Sequence, residues 1–204
     1  MQQTEDPPRP GLRERKKAKT RLAIQEHALR LFRQKGYDGT TVEEIADAAE
    51  VSPSTFFRYF PTKEDVVLYD VLDPVLIEAF RNQPRDLPPL TAFRRTLLNV
   101  YLGLPPAEMA ATEERAALMR TVPELRARMM DEFVRGIGMM MDGLADRTGR
   151  PRNDFALRVL VGAIVGVMLS VLFDDEVFPP GGSVREQMVL FDRGLELLEA
   201  GLPI

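Results

Sequence analysis

The sequence predicts an all-α protein of about nine helices, and three observations carry that expectation. Apolar residues recur at three- and four-residue spacing, as one face of a helix requires. No stretch alternates apolar and polar residues as a half-buried strand would. Proline and glycine mostly punctuate the periodic stretches, at Gly36, Pro61, Pro84–Pro89, Pro123 and Gly149-Arg150-Pro151. With 204 residues, 45% of them hydrophobic, the chain can bury a core. That length suits one domain or two small ones.

Residues 1–11 carry Pro7, Pro8, Pro10 and Gly11 and few apolar groups, which predicts a disordered arm. The first helix runs from about Leu12 to Lys35, with Ile24, Ala28, Leu31 and Phe32 on one stripe, and Gly36 stops it. Thr40 with Glu43 reads as a capping box for a second helix whose buried face is Val42, Ile45, Ala46 and Ala49. After the break at Val51-Ser52, Ser52 caps and Pro53 opens a short third helix that Pro61 ends at Phe60. Thr62 with Asp65 opens a fourth, expected to reach Phe80 with a kink near Pro74. Five more segments follow: Leu90–Leu104, Pro106–Thr121, Pro123–Arg147, Arg152–Phe173 and Val184–Leu202.

Composition excludes several chemistries. Cysteine is absent, so there is no disulfide, zinc-thiolate site or thiol nucleophile. A single histidine, His27, excludes a multi-histidine metal centre, and no metal site or cofactor is expected. No glycine-rich phosphate loop or nucleophile elbow appears, so no catalytic residue is assigned and the chain is not expected to be an enzyme. The cluster Asp174, Asp175 and Glu176 reads as a solvated loop. The polar, acidic opening residues are unlike a secretory signal, and the expected location is cytoplasmic. Net charge is −4, but residues 1–35 hold ten Lys/Arg against four acids, and the rest is correspondingly acidic. A basic end on an acidic body fits contact with a polyanion; a solvated helix face is the plainer alternative.

Thr41–Phe60 has the proportions of a helix-turn-helix. Its second helix is too short to stand alone. Phe56 and Phe60, four apart, should anchor it to the helices before it, turning Pro53, Ser54, Phe57 and Arg58 outward. Small hydroxyls and an aromatic ring suit base edges and a thymine methyl. Arg58, Tyr59, Thr55, Thr41, Ser52 and Lys63 supply donors suited to phosphate. Two assignments stay open: Phe57 as a third core aromatic, and Tyr59 as packing or phosphate contact.

Lys35-Gly36-Tyr37-Asp38-Gly39-Thr40-Thr41-Val42-Glu43-Glu44-Ile45-Ala46, Ala49-Glu50-Val51-Ser52 and Thr55-Phe56-Phe57-Arg58-Tyr59-Phe60-Pro61-Thr62-Lys63-Glu64 together resemble the DNA-binding domain of TetR-family transcriptional regulators. The resemblance covers roughly residues 20–66. It implies a DNA-binding domain over 12–66 and a helical ligand-binding and dimerisation domain over 67–204. It also implies a homodimer on a palindromic double-stranded operator, usually a repressor. The family's DNA-contacting positions fall on Thr41, Ser52, Pro53, Ser54, Thr55, Phe57, Arg58, Tyr59 and Lys63. Phe57 stands where a tyrosine is common, so a hydroxyl contact there is lost. Lys17 and Lys19, in the basic stretch Arg13–Arg21, add phosphate or minor-groove contact. A dimer neutralising roughly eight phosphates should show a log–log salt slope of about −7.

The body offers two further features. Val159–Phe173 is fifteen residues with only Ser170 polar, shorter than the roughly 20 residues of a membrane span, and reads as a helix buried on most sides with no membrane role. Gly162 and Gly166 permit close helix approach. Val184, Met188, Phe191, Leu195 and Leu198 recur at heptad-like spacing. They fit either a dimer seam shared with Val159, Gly162 and Gly166, as the resemblance favours, or packing within one chain. The region Leu90–Arg147, before both, holds seven of the ten methionines and the glycines Gly136, Gly138 and Gly143. Methionine adapts to irregular apolar shapes. The region fits an adjustable apolar cavity or a loosely packed core. Its expected wall is Phe93, Leu97, Tyr101, Met119, Met130, Phe133, Ile137 and Met140, with Arg120 facing an acidic head group or a surface ion pair. The Thr55–Val67 stretch most resembles a branch of the family that senses acyl-CoA-like ligands, so a small apolar or acyl-type ligand is expected.

Overall fold

The computed structural model describes residues 11–172 and 181–203. The arm before Gly11 and the loop Asp174–Pro180, with its acidic cluster, lie outside them. The described residues are all-helical and divide into two compact units, Met1–Val67 and Leu68–Ile204.

The first unit begins with α1 (Leu12–Lys35), α2 (Val42–Ala48) and α3 (Pro53–Tyr59). Ile24, Ala28, Phe32, Ile45, Ala46, Phe56 and Phe60 form its buried centre. α4 (Lys63–Leu68) closes the unit with Val66 and Val67, and Gln25 Nε2 donates to the Val66 carbonyl at 2.7 Å. The capping box of α2 falls one residue later than the sequence suggested. Thr41, not Thr40, is the N-cap, paired with Glu44. Thr40 is buried and its hydroxyl donates to the Gly36 carbonyl, so it cannot serve the helix end. Thr62 and Asp65 do open α4: the Thr62 N–H and hydroxyl donate to Asp65, and the Asp65 N–H returns to Thr62 Oγ1.

The fourth helix does not run on to Phe80. It ends at Leu68, and α5 (Asp73–Arg81) starts after a break at residues 69–72. The proline ring would meet the carbonyl four residues upstream, that of Asp70, so Pro74 breaks the helix a turn earlier instead of kinking it. Pro74 itself sits in the first turn of α5, where its missing N–H costs nothing.

α6 (Pro89–Leu102), α7 (Pro106–Thr121), α8 (Pro123–Thr148), α9 (Phe155–Leu172) and α10 (Val184–Glu199) complete the second unit. Counted with the α4–α5 pair as one interrupted helix, the described residues hold the nine expected. α9 starts at Phe155, later than Arg152, because Asp154 Oδ1 accepts from the Ala156 and Leu157 N–H groups and caps it there. One core joins Phe80, Ala92, Met141, Leu144, Leu157, Val161 and Val165; a second joins Val171, Val184, Met188 and Phe191. Arg147 binds the carbonyls of Gln83, Pro84 and Leu87, fixing the proline-rich turn before α6. Arg94 on α6 pairs with Asp192 and Glu199 on α10, and the hydrogen bond to Asp192 holds its guanidinium firmly protonated.

Two expectations about α9 and α10 are corrected. Val184, Met188, Phe191 and Leu195 are buried within the chain, so that row is intramolecular core and Leu198 beside it is half-buried. The spacing 4-3-4 describes any buried helix stripe, which is why it could not decide. α9, in contrast, is not buried on most sides. Leu157, Val161, Ile164 and Val165 face inward, while Phe155, Val159, Gly162, Gly166 and Ser170 stay exposed at the same spacing. By length and composition alone this 18-residue helix could cross a membrane, with mean hydropathy 2.4. Its two-sided packing, one face core and one face open, accounts for that composition within a helical body.

Candidate nucleic-acid interface and ligand cavity

Ser52 sets the recognition-type geometry of α3. Its Oγ accepts from the Thr55 N–H at 3.1 Å, and Pro53 follows in the first turn. Phe56 and Phe60 are fully buried, which orients the seven-residue helix. Phe57 is 49% exposed, its ring edge-on to Phe56 at 5.5 Å, so it is not a third core aromatic. Pro53, Ser54 and Arg58 are exposed on the same helix. Ser52 Oγ lies 2.9 Å from Ser54 Oγ and 3.0 Å from Thr55 Oγ1, a hydroxyl cluster at the helix start.

The turn before α3 closes with the Glu50 and Val51 N–H groups donating to Asp47 and Ala46. Glu50 takes φ 55°, a left-handed conformation that favours glycine.

Arg58 and Tyr59 line a cleft with Arg13, Lys16, Lys17 and Thr20 of α1, and the Arg58 guanidinium lies 5.5 Å from the Tyr59 ring centroid. Lys19 is exposed on the same helix but is not among the residues lining that cleft. Tyr59 is half-buried, and Arg21 donates to its carbonyl while lying over Phe60, so Arg21 braces the helix end. Thr41 is exposed at the start of α2. Lys63 is more embedded than its assignment to phosphate required. Its ammonium donates to the Tyr37 and Thr40 carbonyls at 2.9 and 3.2 Å and sits 4.1 Å from the Tyr37 ring centroid. The sequence could not distinguish that clamp from a free cation. His27 hydrogen-bonds Arg30 on α1 and takes no part in the cleft.

The second unit contains a cavity of about 330 Å³. Of the residues named from the sequence, Phe93, Leu97, Tyr101, Met119, Phe133 and Met140 line it. Met130 does not: it is 51% exposed on the outer face of α8. Ile137 packs against the Phe80–Val161 core instead, and Arg120 donates to the Gly182 carbonyl at 3.2 Å. Met130 and Ile137 miss the wall because α8 turns Gly136 and Met140 toward the cavity. A Cβ on Gly136 would meet nothing within 4 Å.

Sequence reasoning missed the polar end of this cavity. Asp70, Asp73, Arg115 and Glu132 all line it. Arg115 is 4% exposed and pairs with Asp70 at 3.1 Å, and among the described residues its Nε–H has no acceptor. Burial, with Asp70 and Glu132 nearby, pushes the Asp73 carboxyl up to about 6. Burial likewise raises the Tyr101 phenol well above its usual value, with Asp70 adding to it. No signal in one sequence brings these four together: they come from the α4–α5 break, α5, α7 and α8.

An exposed, capped two-helix reading head and a separate helical unit with an apolar cavity define a ligand-responsive DNA-binding regulator. The profile for bacterial regulatory proteins of the tetR family matches residues 24–69, and that for the MftR C-terminal domain matches residues 87–203. The chain is 36% identical over 170 residues to the HTH-type transcriptional regulator TcmR of Streptomyces glaucescens, covering 76% of this chain and 75% of TcmR. It is 36% identical over 139 residues to the HTH-type transcriptional regulator RutR of Escherichia coli (strain K12), covering 66% of this chain and 57% of RutR. The crystal structure of Thermus thermophilus FadR, a TetR-family transcriptional repressor in complex with lauroyl-CoA, aligns with TM-score 0.57 and 27% identity over 90% of this chain and 95% of FadR. This chain belongs to the TetR family of bacterial transcriptional regulators, and it is not an enzyme.

Proposed function

We propose that the chain is a cytoplasmic repressor that binds a palindromic operator as a homodimer and is released by a small, largely apolar ligand. In this reading residues 12–66 bind DNA and residues 67–204 bind ligand and dimerise. The observation that carries it is the outward face of α3. Phe57, exposed beside Pro53 and Ser54, reads base edges, while Thr41, Ser52, Thr55, Arg58, Tyr59, Lys17 and Lys19 contact phosphate. Lys63 assists chiefly by fixing the turn that carries Thr41.

Two such heads must sit about 34 Å apart to enter successive major grooves. The exposed apolar stripe Phe155, Val159, Gly162 and Gly166 on α9, with Val189 and Leu197 on α10, supplies a face for the second copy. A ligand that favours another spacing lowers operator affinity by its differential affinity, typically about 1–3 kcal/mol.

The cavity supports an apolar ligand body, and FadR's lauroyl-CoA supports an acyl chain. At about 330 Å³ it lies near the small end of ligand pockets, so a nucleotide head would have to stay outside.

A gel shift with the DNA upstream of the chain's own gene tests the reading. Wild-type protein should retard that fragment in preference to random DNA. Arg58→Ala should weaken binding to both, and Phe57→Ala should erode the preference. Equal loss on both DNAs for both variants would remove the assigned roles.

A further inference from the structure

The polar end of the cavity carries more negative charge than positive. Asp70 is matched by Arg115, and Glu132 by Arg135 at 2.6 Å, where Arg135 lies outside the cavity wall. Asp73 has no such cation against it among the described ion pairs, although it is half-buried and lines the same space. Arg115 and Arg135 attract Asp73 from beyond contact distance, but a desolvated carboxylate with no cation in contact is still costly to hold charged, and a ligand cation in contact reduces that cost. A carboxylate or phosphate head would add a further like charge. The Arg115 Nε–H, buried and without an acceptor among the described residues, marks the same end as incomplete without a ligand.

We propose that the ligand is an amphipathic amine, its apolar body among Phe93, Leu97, Met119 and Phe133 and its ammonium group against Asp73. This rests on the reading of the cavity as the ligand site and specifies its chemistry. Asp73 gives the site its preference for charge, the apolar wall gives affinity, and an oxygen near the ammonium would satisfy Arg115.

Calorimetric titration of the full chain without DNA, using decylamine, decanol and decanoate below their micelle concentrations, tests this apart from operator binding. Near pH 8, decylamine should bind at least about tenfold more tightly than either other probe. Asp73→Asn removes an unfavourable buried charge, so the fold is not at risk. It should reduce the advantage of the amine over decanol to less than about twofold. Gly136→Leu, which fills the open space beside that helix position, should abolish decylamine binding. Decanoate binding as tightly as the amine, or an amine advantage that survives Asp73→Asn, would overturn the inference while leaving an apolar cavity site intact. Failure of all three probes, or amine binding that survives Gly136→Leu, would overturn it together with the cavity reading.

Discussion

Asp70 and Arg115 meet at 3.1 Å, and the pair joins the break between α4 and α5 to the wall of the cavity on α7. Asp70 also accepts from the Leu72 N–H at 2.9 Å, so one carboxylate shapes the connecting turn and holds the buried guanidinium. α4 begins inside the reading head, at Lys63, so the chain that leaves the DNA-binding unit is the chain that carries Asp70.

Arg115→Ala leaves Asp70 without its partner. Loss of one member of a buried pair costs about 3–5 kcal/mol, and the part-exposure of Asp70 places the expected loss at the low end, about 3 kcal/mol. Urea unfolding followed by circular dichroism measures it. A loss below about 0.5 kcal/mol would show that the pair is not a structural link.

Glu50→Gly should stabilise the protein by about 1 kcal/mol. Glu50 holds φ 55° in the turn of the helix-turn-helix, and a side chain there costs about 1–2 kcal/mol, part of which glycine's greater chain entropy offsets. An unchanged or lowered unfolding midpoint would show that the Glu50 side chain contributes more than its conformation costs.

How far the sequence was legible differs between the two units. The reading head is built from local signals: Ser52 and Thr62 as caps, Pro53 and Pro61 as bounds, Phe56 and Phe60 four apart. Each acts within a turn or two of chain, so spacing alone places it. The Thr40–Thr41 ambiguity shows the limit, since two adjacent hydroxyls can each cap and only burial decides which does. In the second unit the decisive contacts are distant in sequence. Asp70 with Arg115, and Phe80 against Gly143, depend on how α5, α7 and α8 pack around the α4–α5 break. Periodicity on α9 and α10 marked apolar faces correctly as apolar. It could not say that Val184, Met188, Phe191 and Leu195 turn inward while Val159, Gly162 and Gly166 turn outward.

The pH dependence of amine binding follows from Asp73, whose carboxyl lies near 6 because of burial and the neighbouring Asp70 and Glu132, with Arg115 and Arg135 opposing. Above about 6 the carboxylate is charged and the amine has its partner. Below it the site is protonated, and decylamine affinity should fall by up to about tenfold per pH unit. The stability contribution has its own sign. The folded value lies above the unfolded 3.8, so this group favours the fold below 3.8, and that benefit disappears as pH rises through about 6. Asp73→Asn should therefore unfold at higher urea than wild type at pH 8, and calorimetry across pH should show a flat profile for amine binding.

Val159→Asp should yield monomers. Val159 is 55% exposed in the middle of the outward stripe of α9, flanked by Phe155 and Gly162, so the substitution would bury an unpaired charge between two copies without disturbing the core of either. Met188→Asp, at a position 6% exposed within the chain, should instead unfold the protein. Sedimentation equilibrium and circular dichroism separate the two. A Val159→Asp variant that remains dimeric would move the interface elsewhere.

In the proposed function α3 meets DNA twice, once from each protomer. Selection from fragmented genomic DNA by the purified chain, followed by sequencing of the bound fragments, measures this most directly. One enriched motif is expected, with two inverted half-sites whose centres lie about 10 base pairs or a multiple apart. Its half-site sequence should change or lose definition with Phe57→Ala. Fragments enriched with no shared motif, or a single half-site without its inverted mate, would contradict it.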